Sequence, residues 1–170
     1  MRTILLCAVL AASVAAPQVG RTTRQWTTIR DGDARLAAEF PAPPIRQTQP
    51  DGMVRWMVTL DNDSYAYIAG VITIRAERLA LGVPRVLDDA VAGGVRNVPG
   101  AETITDTAIT FQGHPGREVV LRAPGSGGFL RIVARAVIAG DRLYIVTAVS
   151  PFEVFDRQEI DRFLASLTII

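Results

Sequence analysis

The 170-residue chain has no lysine, one cysteine and one histidine, and each scarcity removes a class of function. All 18 cationic side chains are arginine and stand against 17 acids, for a formal net charge of +1. So weak a field recruits neither nucleic acid nor an anionic membrane surface. A lone Cys7 excludes a disulfide scaffold, and Cys7 with His114 cannot make a structural zinc set. No metal and no cofactor is expected. Aromatic residues are 6% of the chain, and the longest apolar stretch, about a dozen residues, is short of the roughly 20 that span a bilayer. What remains is ordinary globular material, 49% apolar and 21% charged. That balance excludes collagen, coiled coil and wholesale disorder, and the length predicts one domain.

The first residues read as an address. Arg2 precedes an apolar run from Ile4 to Leu10, followed by small residues, the pattern of a secretory signal. Ser13-Val14-Ala15 suits cleavage after Ala15, whereas cutting after Ala16 would leave Pro17 directly behind the bond. Cys7 follows Ile4, Leu5 and Leu6 without the small neighbour that lipidation requires. The expectation is a signal peptide over 1–15, a polar lead-in over 16–25, a single domain over 26–170, and an exported protein, periplasmic or secreted, that meets the membrane only through its signal segment. Without residues 1–15 the chain holds no thiol, and its remaining arginines equal its acids.

Periodicity orders the domain as two strands, two strands, helix, three strands and helix. Strand-like runs flank Asp31-Gly32 as a tight hairpin, and Pro41, Pro43 and Pro44 end them. Met53 to Leu60 alternates, with Val54, Trp56, Val58 and Leu60 on one side, and the run from Tyr65 to Ile74 completes a second hairpin. From Pro84 the apolar spacing widens through Leu87, Val91, Val95 and Val98, which predicts a helix to about Asn97. Gly93-Gly94 weakens its second half unless the glycines pack closely on a sheet.

The second half reads as a three-stranded meander. Thr103 to Phe111 leads into His114-Pro115-Gly116-Arg117, which fits a type II turn. Keeping apolar residues on one face then pairs Val119 with Ala134, Leu121 with Ile132 and Glu118 with Arg135. Gly140-Asp141 forms a two-residue loop that sets Ile138 beside Leu143 and Ala136 beside Ile145. Ser150-Pro151-Phe152-Glu153 has the form of a capping box opening a last helix, whose stripe of Ile160, Phe163, Leu164 and Leu167 should lie on that aliphatic face. Ile169-Ile170 then makes a short edge strand.

Together, Phe40-Pro41, the run from Gly113 to Glu118, the run from Gly140 to Tyr144 and the closing Phe163-Leu164-Ala165-Ser166-Leu167 resemble small exported bacterial proteins of the PsbP-like class, which also includes the Ran-binding Mog-type proteins. The resemblance covers most of residues 26–170. It implies an α+β fold, an α/β/α sandwich with two main helices on an antiparallel sheet, and a binding or assembly module more than an enzyme. Its motifs are turns and a helix seam, which identify architecture better than role.

Little chemistry is written in the residues themselves. His114 stands at a predicted turn without a triad around it. Gly125-Ser126-Gly127-Gly128 has neither a nucleophile elbow's spacing nor a P-loop lysine. Asp61-Asn62-Asp63-Ser64 lacks the twelfth-position Glu of a calcium loop, with Ile72 there instead. Asp88 and Asp89 are adjacent on a helix and point apart. No catalytic residue is assigned. The one oddity is an arginine cluster: the register sets Arg122 opposite Arg131, with Arg135 and Glu118 on the same face. Opposed like charges cost a few tenths of a kcal/mol on a sheet. The cluster is either a solvated face neutralised by Glu118 and a helix carboxylate, or a site for an anion or an acidic partner. Three functions therefore stand: a non-catalytic exported module for a protein or envelope component, a carrier of a small amphipathic or anionic ligand near Arg131, and a hydrolase with an unfamiliar site.

Overall fold

The structure is a computed structural model and describes residues 24–61, 64–154 and 156–170. The predicted signal peptide and most of the lead-in lie outside the described residues. The elements are β1 Thr27–Asp31, β2 Leu36–Phe40, β3 Ile45–Thr48, β4 Val54–Leu60, β5 Tyr65–Thr73, α1 Ala76–Leu79, α2 Val83–Arg96, β6 Glu102–Phe111, β7 His114–Gly125, β8 Gly128–Ala139, β9 Arg142–Pro151, α3 Arg157–Ser166 and β10 Thr168–Ile169. They form an antiparallel seven-stranded sheet, in the order β3-β4-β5-β9-β8-β7-β6, and a three-stranded sheet, β1-β2-β10. The fold is α+β.

Alternation decides the faces of the large sheet. On one, Val119, Leu121, Ala136, Ile138 and Leu143 pack under α2, which buries Val86 and Leu87 and half-buries Val91 and Val95. On the other, Trp56, Tyr67, Val133, Tyr144 and Val146 pack against Ile160, Phe163 and Leu164 of α3 and Leu36 and Phe40 of the small sheet. The meander register is as read: Val119 pairs with Ala134, Leu121 with Ile132, Glu118 with Arg135, Ala136 with Ile145 and Ile138 with Leu143.

Five expectations are corrected. The loop at Asp31-Gly32 is wider than a tight hairpin: Asp31 pairs with Leu36, and the Asp31 carboxylate accepts the Ala34 N–H at 2.9 Å. The turn before β7 is Gln112-Gly113, with φ of 51° and 80°, so His114 to Arg117 is strand. Positive φ at both loop residues matches the twist of the flanking strands, which a type II turn would splay. Ser150 caps no helix: it is fully buried in β9 opposite Arg131, and α3 starts seven residues later behind Asp156, which accepts the Glu159 N–H at 3.1 Å. A continuing ladder satisfied the Ser150 backbone before a local cap could. Consequently α3 lies on the aromatic face, and the aliphatic face belongs to α2. Last, Gly93 and Gly94 have no close neighbour on the sheet, so packing does not explain them.

Gly116 does need to be glycine, for space and not for a turn. A Cβ there would stand 2.6 Å from the Ala136 carbonyl oxygen and 3.1 Å from Val137. The strand β3 and the one-turn α1 had no strong signal, and β10 pairs with β2 as Thr168 opposite Ala37 and Ile169 opposite Leu36.

Candidate functional site

The arginine cluster is assembled by β7 and β8. Because side chains alternate, Glu118, Val120 and Arg122 share the α3 face with Phe129, Arg131, Val133 and Arg135. Toward β9 this face is covered by α3; toward β6 it is open, with Thr105 and Thr107 exposed. Arg122 lies opposite Arg131 and Glu118 opposite Arg135, as the register required.

Side-chain geometry pairs each charge. Arg135 Nε donates to Glu118 at 2.5 Å, and its guanidinium stands 5.9 Å from the Phe111 ring. Arg122 meets Glu102 of β6 at 3.5 Å and lies 3.2 Å from the centroid of Phe129. Phe152, just beyond β9, faces both opposed arginines, at 5.7 Å from Arg122 and 4.7 Å from Arg131. The Phe152 N–H donates to the Phe129 carbonyl oxygen at 2.8 Å, so the two aromatic residues are tied by backbone. A ring face attracts a cation by about 0.5–1 kcal/mol at an exposed site, which offsets a repulsion of a few tenths. The expected cost of the Arg122–Arg131 pair is therefore absorbed by an aromatic side chain that sequence reasoning had placed in a helix.

Glu102 and Glu118 answer Arg122 and Arg135 here, and Phe129 beside them is 45% exposed. The surface presents cationic donors fixed in orientation by rings and an apolar side chain in water. It is suited to hold carboxylates or other anions attached to a partly apolar body. Phe129 was legible in principle, since it alternates with Arg131 along one strand. Phe152 and Glu102 were not, because only tertiary structure brings them in.

No family model matches this chain, and no curated protein does. Among solved structures, cyanobacterial PsbP (CyanoP) from Synechocystis sp. PCC 6803 matches with a TM-score of 0.63 and 14% identity, over 92% of this chain and 98% of its own. The fold is PsbP-like. Weaker likenesses are to PA94 of Pseudomonas aeruginosa, a protein of unknown function, with a TM-score of 0.44 at 15% identity over 75% of this chain and 84% of that one. LpqN of Mycobacterium tuberculosis, involved in cell envelope biogenesis, gives 0.43 at 14% identity over 84% and 77%. Such identities carry the architecture alone.

The remaining candidate residues of this PsbP-like domain are held structurally. His114 is half-buried at the start of β7 opposite Phe111. Ser126-Gly127 is the tip of the β7–β8 hairpin, closed by Gly125 opposite Gly128. Asp61 receives Arg24 at 3.1 Å; Asn62 and Asp63 lie outside the described residues. Asp88 and Asp89 do point apart, to Arg117 at 2.7 Å and to Arg78 at 2.8 Å. Among the described residues no group of three or more His, Cys, Asp or Glu is placed to hold a metal, and no helix is long and apolar enough to cross a membrane.

One cluster was missed in the sequence. The buried Tyr67 hydroxyl donates to Glu159 on α3, and Glu159 also receives Arg24 at 2.8 Å. Burial, then the bond to Glu159 and its charge, push the Tyr67 phenol far above its ordinary 10.0. The arrangement ties the start of α3 to β5. Its partners are 92 residues apart, beyond any local signal.

Proposed function

We propose that this chain is a non-catalytic module of the cell envelope, exported by residues 1–15 and acting in the periplasm or outside the cell, that binds an acidic protein segment or envelope component through Arg122, Arg131 and Arg135. We also place it in the wider class that includes the Ran-binding Mog-type proteins. The observation that carries the binding reading is the open end of the α3 face, where three guanidinium groups, two of them oriented by aromatic rings, stand beside an exposed Phe129. Export is supported by the order of Arg2, the apolar run and Ser13-Val14-Ala15. A non-catalytic role is supported by how the carboxylates are occupied: Glu118 by Arg135, Asp106 by Arg117, and Glu159 by Tyr67 and Arg24. Two clefts lie along α2, on the face of the sheet opposite Arg131.

The test compares wild type with Arg131→Gln and Arg122→Gln. Wild-type protein should retain an acidic partner from envelope extract in low salt and release it as salt rises, and either substitution should weaken retention and flatten the salt dependence. Thermal unfolding of Arg131→Gln should stay within about 0.5 kcal/mol of wild type, because the lost ring contact is offset by the relieved repulsion with Arg122. Retention unchanged in both variants would make the cluster a purely structural feature. Intact mass of the exported protein should begin at Ala16; a retained Met1 would refute the signal assignment.

A further inference from the structure

We infer that the cleft between α2 and the end of β5 is a binding site for a small aliphatic carboxylate. The cleft holds about 480 Å³, within the roughly 300–1,000 Å³ of small-molecule sites. Its floor is Ile74, Val86 and Leu143, buried members of the aliphatic cluster under the first turns of α2, and half-buried Ile72 continues that surface. The Ile74 N–H is held by the Asp141 carbonyl oxygen at 2.7 Å, which fixes the chain where β5 leaves the sheet toward α1.

Charge selects the ligand. Four ionic side chains line the cleft, Asp51, Arg75, Arg78 and Asp89. Asp89 is engaged by Arg78 at 2.8 Å and by Arg85 at 3.3 Å. Asp51 is turned into its own loop, accepting the Met53 N–H at 3.0 Å. Arg75 is left, a guanidinium with neither ion pair nor hydrogen bond to any described residue. A carboxylate matches its paired N–H groups, and an alkyl chain behind the carboxylate would cover Ile72, Val86 and Leu143. An inorganic anion would leave the floor wet, and an alcohol would leave Arg75 unanswered. The site lies on the α2 face, opposite the arginine cluster, so its failure would leave the proposed function standing.

Octanoate is the probe, titrated into the purified protein and followed by NMR, with acetate and 1-octanol as partial ligands. Octanoate should shift the signals of Ile72, Ile74, Ala90 and Leu143 to saturation. 1-Octanol, and octanoate on Arg75→Gln, should each bind about tenfold more weakly, a difference of about 1.4 kcal/mol, and acetate, without the tail, more weakly still. Arg122→Gln should bind octanoate like wild type. The inference is overturned by an absence of saturation, by equal binding of 1-octanol or of octanoate to Arg75→Gln, or by shifts gathered at Arg122 and Arg131. Melting of Arg75→Gln should match wild type; a clear loss would show that Arg75 is already committed to the fold, which also overturns it.

Discussion

The two faces of the seven-stranded sheet solve the same problem with different materials. Under α2 the buried residues are Val, Leu, Ile and Ala throughout. Under α3 and the small sheet the core adds Trp56, Tyr67, Tyr144, Phe40 and Phe163, with Phe163 placed 5.3 Å from Phe40 and 5.2 Å from Tyr67. The helices are also offset: α2 packs on β7 and β8, α3 on β9 and β2. Each therefore leaves part of its face open. On the α3 face the open part is the β6–β8 end, where the arginines stand. On the α2 face it leaves the 480 Å³ cleft beside β5 and a second of about 440 Å³ along β6, where Arg117 bridges Asp88 and Asp106. The general point is that a helix placed off centre buries one half of a sheet face and makes the other half available for binding.

Removing one large side chain from each face measures how differently the two cores are held. Phe163→Ala should cost about 4 kcal/mol in urea unfolding, against about 2–3 kcal/mol for Leu87→Ala, because an aromatic cluster loses volume and ring contacts together. Equal losses would mean that the two cores are energetically alike.

Gly116 tests the sheet that both faces share. Gly116→Ala should cost about 1–3 kcal/mol, since the new methyl meets the Ala136 backbone oxygen and strands cannot part without breaking ladder bonds. A neutral result would show that β7 and β8 separate easily there.

Tyr67→Phe sharpens the account of the α3 face. Its loss should be about 1.5 kcal/mol at neutral pH, the value of a hydrogen bond to a charged group. The folded phenol titrates above its unfolded value of 10.0, so its contribution is complete below pH 10 and declines as pH rises above that. Wild type should therefore lose stability through this range more steeply than the variant, in denaturation measured at a series of alkaline pH values. Parallel curves would remove Tyr67 from the explanation.

The smallest effect separates two candidate caps. Asp156→Ala should cost about 1 kcal/mol, the usual value of an N-cap. Ser150→Ala should cost close to nothing, because its buried hydroxyl has no hydrogen-bond partner among the described residues. The reverse order would restore the earlier helix start.

Both the correct readings and the errors have local causes. The β7–β8–β9 register was legible because a shift of one residue would have turned Val119, Leu121 and Ile132 out of the core, and that penalty is written in the alternation. The same argument put Arg122 opposite Arg131 and Glu118 opposite Arg135. It could not supply Phe152, which reaches the pair only because β9 continues through Pro151.

Residue order by itself thus determined the β-rich α+β class, α2, the facing of β4, β7, β8 and β9 and the grouping of the arginines, since period-2 and period-3.6 patterns act within a few residues. Tertiary structure alone decided which face each helix covers, that Ser150 stays in the ladder while Asp156 caps α3, and that Gly116 is fixed by the Ala136 carbonyl and not by a turn. Those choices are set by contacts between elements far apart in the chain, where the burial of whole faces outweighs the kcal/mol or so that a cap or turn preference contributes.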